Sequence, residues 1–174
     1  MRVLIAYASR HGATAGIAAR IADRMADRGV VPDVRRVDAI EEVGDYDAIV
    51  LGSPVYDGAW PPEARRFVSL QAEALAARPL WLFSVGSLGD TGRLLGPLAH
   101  KEPRDIDSLR ATLLPRDYRV FRGVIEKHQW PFWSRLLFHL LGGRLGDHRE
   151  WSVIDRWADE IARAVSSLPD RASS

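Results

Sequence analysis

The chain reads as an α/β protein with a doubly wound, five-stranded parallel sheet. Three observations predict this. Short apolar runs alternate with amphipathic stretches of helical period along the chain. One run, Asp47-Ala48-Ile49-Val50-Leu51, is almost wholly apolar, as a strand covered on both faces must be. Polar or glycine-bearing turns follow three of the runs, and right-handed crossovers would gather them on one rim of the sheet.

Length and composition fit such a domain. A chain of 174 residues can bury a sizeable core, and 47% hydrophobic with 27% charged residues is ordinary for a globular protein. The net charge of +1, with no long basic block, gives no reason to expect a nucleic-acid partner. Cysteine is absent, which excludes disulfides, thiolate catalysis and cysteine-ligated iron–sulfur clusters. No basic-then-apolar leader precedes the first run, so a cytoplasmic location is expected. No apolar run approaches the roughly 20 residues that span a bilayer.

The elements follow in order. Val3, Leu4, Ile5, Ala6 and Tyr7 make the first strand. The next helix runs to Arg28, because Ile17, Ile21 and Met25 recur every four residues opposite Arg20, Asp23, Arg24 and Asp27, and Gly29 closes it. Residues 30–37 form a second strand, placed at an edge by Pro32, and residues 47–51 a third. Pro61-Pro62-Glu63 opens a helix with Ala64, Phe67, Val68 and Leu75 near one face, and it stops before Pro79. Residues 80–83 are the fourth strand. A Gly- and Pro-rich loop over 86–104, a short helix over 106–114 and a fifth strand over 118–125 come next. Ser152-Val153-Ile154-Asp155 reads as the capping box of the last helix, whose stripe is Ile154, Trp157, Ala158, Ile161 and Val165. One domain over residues 1–168 is expected, with 169–174 a fraying tail.

Three loops carry chemistry. Ser9, Arg10, His11, Gly12, Ala13 and Thr14 lie between a strand and a helix start, where unpaired N–H groups and the macrodipole favour an anion. Ser9 and Thr14 bring hydroxyl donors, Arg10 a charge, and Gly12 a backbone that can approach an oxygen. The plainer alternative is an ordinary turn with Ser9 or Thr14 as N-cap. The second loop, with Pro54, Val55, Tyr56, Gly58 and Trp60, offers two aromatic faces and a glycine. The third, Ser84, Val85, Gly86, Ser87, Leu88, Gly89 and Asp90, offers main-chain groups for a heteroaromatic edge. Each loop alone has a bland reading as a turn or a folded-back aromatic. Their joint placement after three strands points to a planar, phosphorylated ligand.

Other users of this architecture lack their residues here. A receiver domain wants an aspartate at the end of the third strand, where Gly52-Ser53 stands. A dinucleotide fold wants G-x-G-x-x-G after the first strand, and a P-loop its Gly-Lys-Ser/Thr ending; neither is present. The five histidines show no zinc spacing, no metal is expected, and no residue is assigned a catalytic role. His11 is placed to donate within the first loop.

The pattern resembles flavodoxin-like FMN proteins, whose first loop reads Ser/Thr-x-x-x-x-Thr with a glycine inside. It is most similar to the branch of the menaquinone-dependent protoporphyrinogen IX dehydrogenases. The matching residues are Ser9 to Thr14, Gly52-Ser53 with Gly58-Ala59-Trp60, and Gly146-Asp147-His148-Arg149-Glu150-Trp151 followed by Ile154 and Trp157-Ala158-Asp159-Glu160-Ile161-Ala162. The resemblance implies strand order 2-1-3-4-5 and one FMN, its phosphate on Ser9 to Thr14 and its ring between the second and third loops. It further implies an oxidoreductase that passes electrons from a reduced organic substrate, such as a porphyrinogen, to a quinone. A flavodoxin-type electron carrier, a reductase using a nicotinamide or deazaflavin donor, and a scaffold without flavin are the alternatives. Electron carriers of this kind tend to be strongly acidic, unlike this chain.

One stretch exceeds what the fold requires. Residues 130–141, with Trp130, Phe132 and Trp133, are apolar almost all round apart from Ser134, Arg135 and His139. An extra helix before the last one is expected there, opened by Pro131 and closed by Gly142-Gly143. Its plainest role is packing across the sheet edge. A lid beside the flavin, or a peripheral contact with the inner face of a membrane, is the functional alternative, since Lys127, His128, Arg135, Arg144 and Arg149 flank it.

Overall fold

The computed structural model describes residues 1–86, 103, 106–125, 146–147 and 149–169. The segments 87–90 and 130–141, the residues His100, His128, His139 and His148, and the tail from 170 lie outside them.

The two-residue period of the strands sets the layers. In β1 (Arg2–Tyr7) Val3 and Ile5 face one side and Leu4 and Ala6 the other, and all four are fully buried. β3 (Ala48–Val55) repeats this with Val50 on the first side and Ile49 and Leu51 on the second. The first face is covered by α1 (Ala13–Ala26) and α4 (Trp151–Ser166), the second by α2 (Pro62–Ala76) and α3 (Ile106–Leu113). With β2 (Val31–Arg36), β4 (Leu80–Gly86) and β5 (Asp117–Arg122), the five parallel strands lie in the order 2-1-3-4-5. β2 is an edge strand, as Pro32 requires.

Three differences from the sequence reading have local causes. β3 runs to Val55, past Gly52 and Pro54. Ile49 N–H donates toward β4, to Pro79, while the Gly52 carbonyl accepts from Ala8 on the β1 side. Alternation then turns the imide nitrogen of Pro54 toward β1, whose ladder with β3 has already ended at Tyr7–Gly52, so the proline forfeits no ladder bond. The fifth run splits at Gly123, and β6 (Val124–Ile125) instead pairs antiparallel with β7 (Gly146–Asp147). Gly123 N–H donates to the Gly86 carbonyl at 2.9 Å, and a Cβ there would stand 2.7 Å from that oxygen, an approach that only glycine permits. Finally, Ser152 is no cap. α4 starts at Trp151 after Glu150, and the Asp155 carboxylate is taken by Arg20 of α1 at 2.7 Å through two nitrogens.

That pair begins a ladder between α1 and α4. Arg24 and Arg28 both donate to Asp159, at 3.0 and 2.9 Å. The guanidinium of Arg20 holds Asp155 below the ordinary 3.8 of a carboxyl, and Arg28, with Arg24, does the same for Asp159. Groups with depressed folded values contribute their stability above the unfolded value and lose it as pH falls through the folded one. Asp155→Asn is therefore expected to lower the urea midpoint near neutral pH. The difference from wild type should shrink as pH drops from about 6 to about 3. A difference that is constant over that range would mean the pair contributes no charge-dependent stability.

Candidate functional site: a cleft at the strand ends

Because all five strands are parallel, the turns after β1, β3 and β4 meet at one rim. Between β1 and α1 the chain turns at Gly12, whose φ of 82° is left-handed and suits glycine. Gly12 is the residue before the helix, and no side chain caps it. Its N–H donates to Ser9 Oγ at 3.1 Å, and its carbonyl accepts the first helical bond, from Gly16 N–H at 2.9 Å. Neither Ser9 nor Thr14 is the N-cap. Ser9 Oγ is used as an acceptor, so its hydrogen is left to point elsewhere. Ser9 (8% exposed) and Thr14 (1%) are buried polar residues, and both line the cleft. The opening N–H groups of α1, which have no acceptor within their helix, start here.

The second loop is a short hairpin. Tyr56 and Ala59 exchange main-chain bonds of 2.9 and 3.0 Å across Asp57 and Gly58. Their φ values of 51° and 76° are the pattern of a type I′ turn. This turn fixes Tyr56 at the cleft wall, where His11 meets it edge-on at 6.3 Å between ring centroids. Burial pushes the Tyr56 hydroxyl up from its ordinary value, against the pull of Arg10. Val85 and Gly86 from the end of β4, joined by Gly123, also line the cleft.

Nine of the expected residues therefore come together around the cleft: Ser9, His11, Ala13, Thr14, Pro54, Val55, Tyr56, Val85 and Gly86. Gly12 and Gly58 shape the turns behind it. Three expected contributors, Trp60, Ser84 and Arg10, are placed elsewhere. Trp60 is 1% exposed in the core, and its indole N–H donates to Ser84 Oγ at 2.8 Å. The Trp60 ring thus lies in the core, and Ser84, which accepts its bond, is fully buried and does not line the cleft. The Arg10 guanidinium turns away to Glu63 at the start of α2. Ser87, Leu88, Gly89 and Asp90 lie outside the described residues. Gly123 was missed by sequence reasoning, although a glycine inside a strand pattern is the usual mark of close backbone approach.

The empty space in the cleft is about 360 Å³, open solvent at its mouth included. Among the described residues no cluster of three His, Asp or Glu could hold a metal, and no helix is long and apolar enough to cross a membrane.

Comparison with known proteins places the chain among relatives. A family model for the flavodoxin domain matches residues 4–150. The protoporphyrinogen IX dehydrogenase [quinone] of Escherichia coli (strain K12) is 25% identical over 173 residues, covering 93% of this chain and 95% of the relative. Among solved structures, a flavodoxin from the domain Archaea superposes with a TM-score of 0.61 at 16% identity, covering 95% of this chain and 99% of the other. A flavodoxin from Pseudomonas aeruginosa, solved as a cysteine-to-serine mutant, gives 0.62 at 15%, covering 96% and 100%.

Proposed function

The chain belongs to the flavodoxin domain family, and from that premise we propose that it is an FMN-dependent oxidoreductase of the protoporphyrinogen IX dehydrogenase kind. It would take electrons from a reduced porphyrinogen or similar organic substrate and pass them to a quinone. The observation that carries this reading is the meeting of unlike groups in one cleft. Ser9 and Thr14, buried hydroxyl residues at a helix start, line it together with Tyr56 and with Val85–Gly86 from the end of β4.

The residues fit the cofactor. Ser9 Oγ–H, the Thr14 hydroxyl and the first N–H groups of α1 would hold the phosphate. Tyr56, with the ring of His11 perpendicular to it, and the main chain of Val85, Gly86 and Gly123 would flank the ring. FMN, when bound, supplies the redox chemistry, and the protein's part is to orient it and tune its surroundings. The relative that matches nearly end to end is named for a porphyrinogen and a quinone, which supports those two partners here. Both are largely apolar molecules, which suits a chain working at the inner face of a membrane with residues 130–141 resting on it.

The test is turnover by the FMN-loaded chain. Reduced protoporphyrinogen with menadione is expected to be oxidised, while reduced nicotinamides with the same quinone give no turnover. Turnover with the nicotinamide alone would reverse the assignment.

A further inference from the structure

Arg10 is a formal charge inside the loop proposed to bind a phosphate, and a direct contact would be its simplest use. The geometry gives it another. Its Nε donates to Glu63 Oε1 at 3.3 Å and its Nη2 to Oε2 at 3.4 Å, so one edge of the guanidinium is matched to the whole carboxylate. The guanidinium carbon lies 5.5 Å from the centre of the Tyr56 ring. Tyr56 thus has two neighbours, the Arg10 guanidinium and the perpendicular ring of His11.

Glu63 is a firm anchor for this. It sits in the first turn of α2, where the dipole favours an anion. Its carboxyl is held below the usual range first by its own main-chain N–H, then by Arg10 and more distantly by Arg36. Arg36 in turn donates to the Ser9 carbonyl at 3.2 Å while pairing with Asp38. Two arginines therefore brace the first loop from outside, and neither lines the cleft.

We infer that Arg10 is a positioning residue for the ring-facing wall: clasped to Glu63, it ties the first loop to the start of α2 and fixes Tyr56 against a bound flavin ring. This rests on the flavin reading proposed above. Arg10 and Glu63 are 53% and 33% exposed, so solvent weakens the ion pair and its contribution to overall stability is small. What it supplies is placement, through a cation on an aromatic face.

Comparing FMN with riboflavin, which lacks the phosphate, separates the two roles of Arg10. In fluorescence-quenching titrations, Arg10→Met and Glu63→Gln are each expected to weaken both flavins by the same factor, about three- to fivefold. The double variant should be no weaker than either single one, and Arg10→Lys should restore part of the loss. Thr14→Val should weaken FMN and spare riboflavin. In the flavin-free chain, the Tyr56 ring protons should shift in NMR spectra of Glu63→Gln. Loss of FMN affinity alone in Arg10→Met would make Arg10 a phosphate ligand and overturn the inference. Unchanged affinities with unmoved Tyr56 resonances would overturn it too. If the wild-type chain binds neither flavin, the flavin reading fails by itself. The clasp is then decided by the Tyr56 resonances, with a shift supporting it and none refuting it.

Discussion

Trp60→Ala is expected to lower the unfolding free energy by about 3–5 kcal/mol, the usual cost of removing a large core aromatic. The indole is 1% exposed and packs in the cluster beneath α2 with Leu51, Ala64 and Leu82. Truncation leaves a cavity there and removes the donor to Ser84 Oγ, whose residue is fully buried. Trp60→Phe keeps most of the ring and loses the 2.8 Å bond, and should cost nearer 1 kcal/mol. Urea unfolding of the three proteins measures both. Unchanged stability in the alanine variant, with an altered flavin spectrum, would instead put the indole against the ring.

Much of the fold can be read from the chain because it depends on local pattern. The alternation Val3-Leu4-Ile5-Ala6 and the apolar run ending at Leu51 dictate strands covered on both faces, and Pro32 marks an edge. What escapes the sequence depends on distant partners. Pro54 stays in a strand only because β1 has already stopped beside it. Ser152 and Asp155 have the spacing of a cap, yet Arg20, far away in the chain, claims the aspartate. The site divides the same way. Ser9, Gly12 and Thr14 show themselves through a strand-turn-helix order. The direction of a loop aromatic is set across the sheet: Ser53 and Ser84 are register partners, and this brings the Ser84 hydroxyl within reach of the Trp60 indole. Arg10 likewise looks like an anion's partner until Glu63, 53 residues on, is seen beside it.

Thr14→Val is expected to weaken FMN by roughly ten- to more than a hundredfold, since a hydrogen bond to a charged group contributes about 1.5–3 kcal/mol. Valine matches threonine in shape, and the site is 1% exposed, so the substitution removes a donor with little change in packing. Riboflavin affinity should hardly change. Equal loss for both flavins would place the phosphate elsewhere and make Thr14 part of the scaffold.

These flavin affinities exist only if the rim cleft takes the cofactor. The direct measurement is titration of FMN with the purified wild-type chain, following flavin fluorescence. The expected result is saturable quenching at one flavin per chain, as Tyr56 and the strand-end backbone close around the ring. Fluorescence that stays unquenched at every protein concentration would contradict the account.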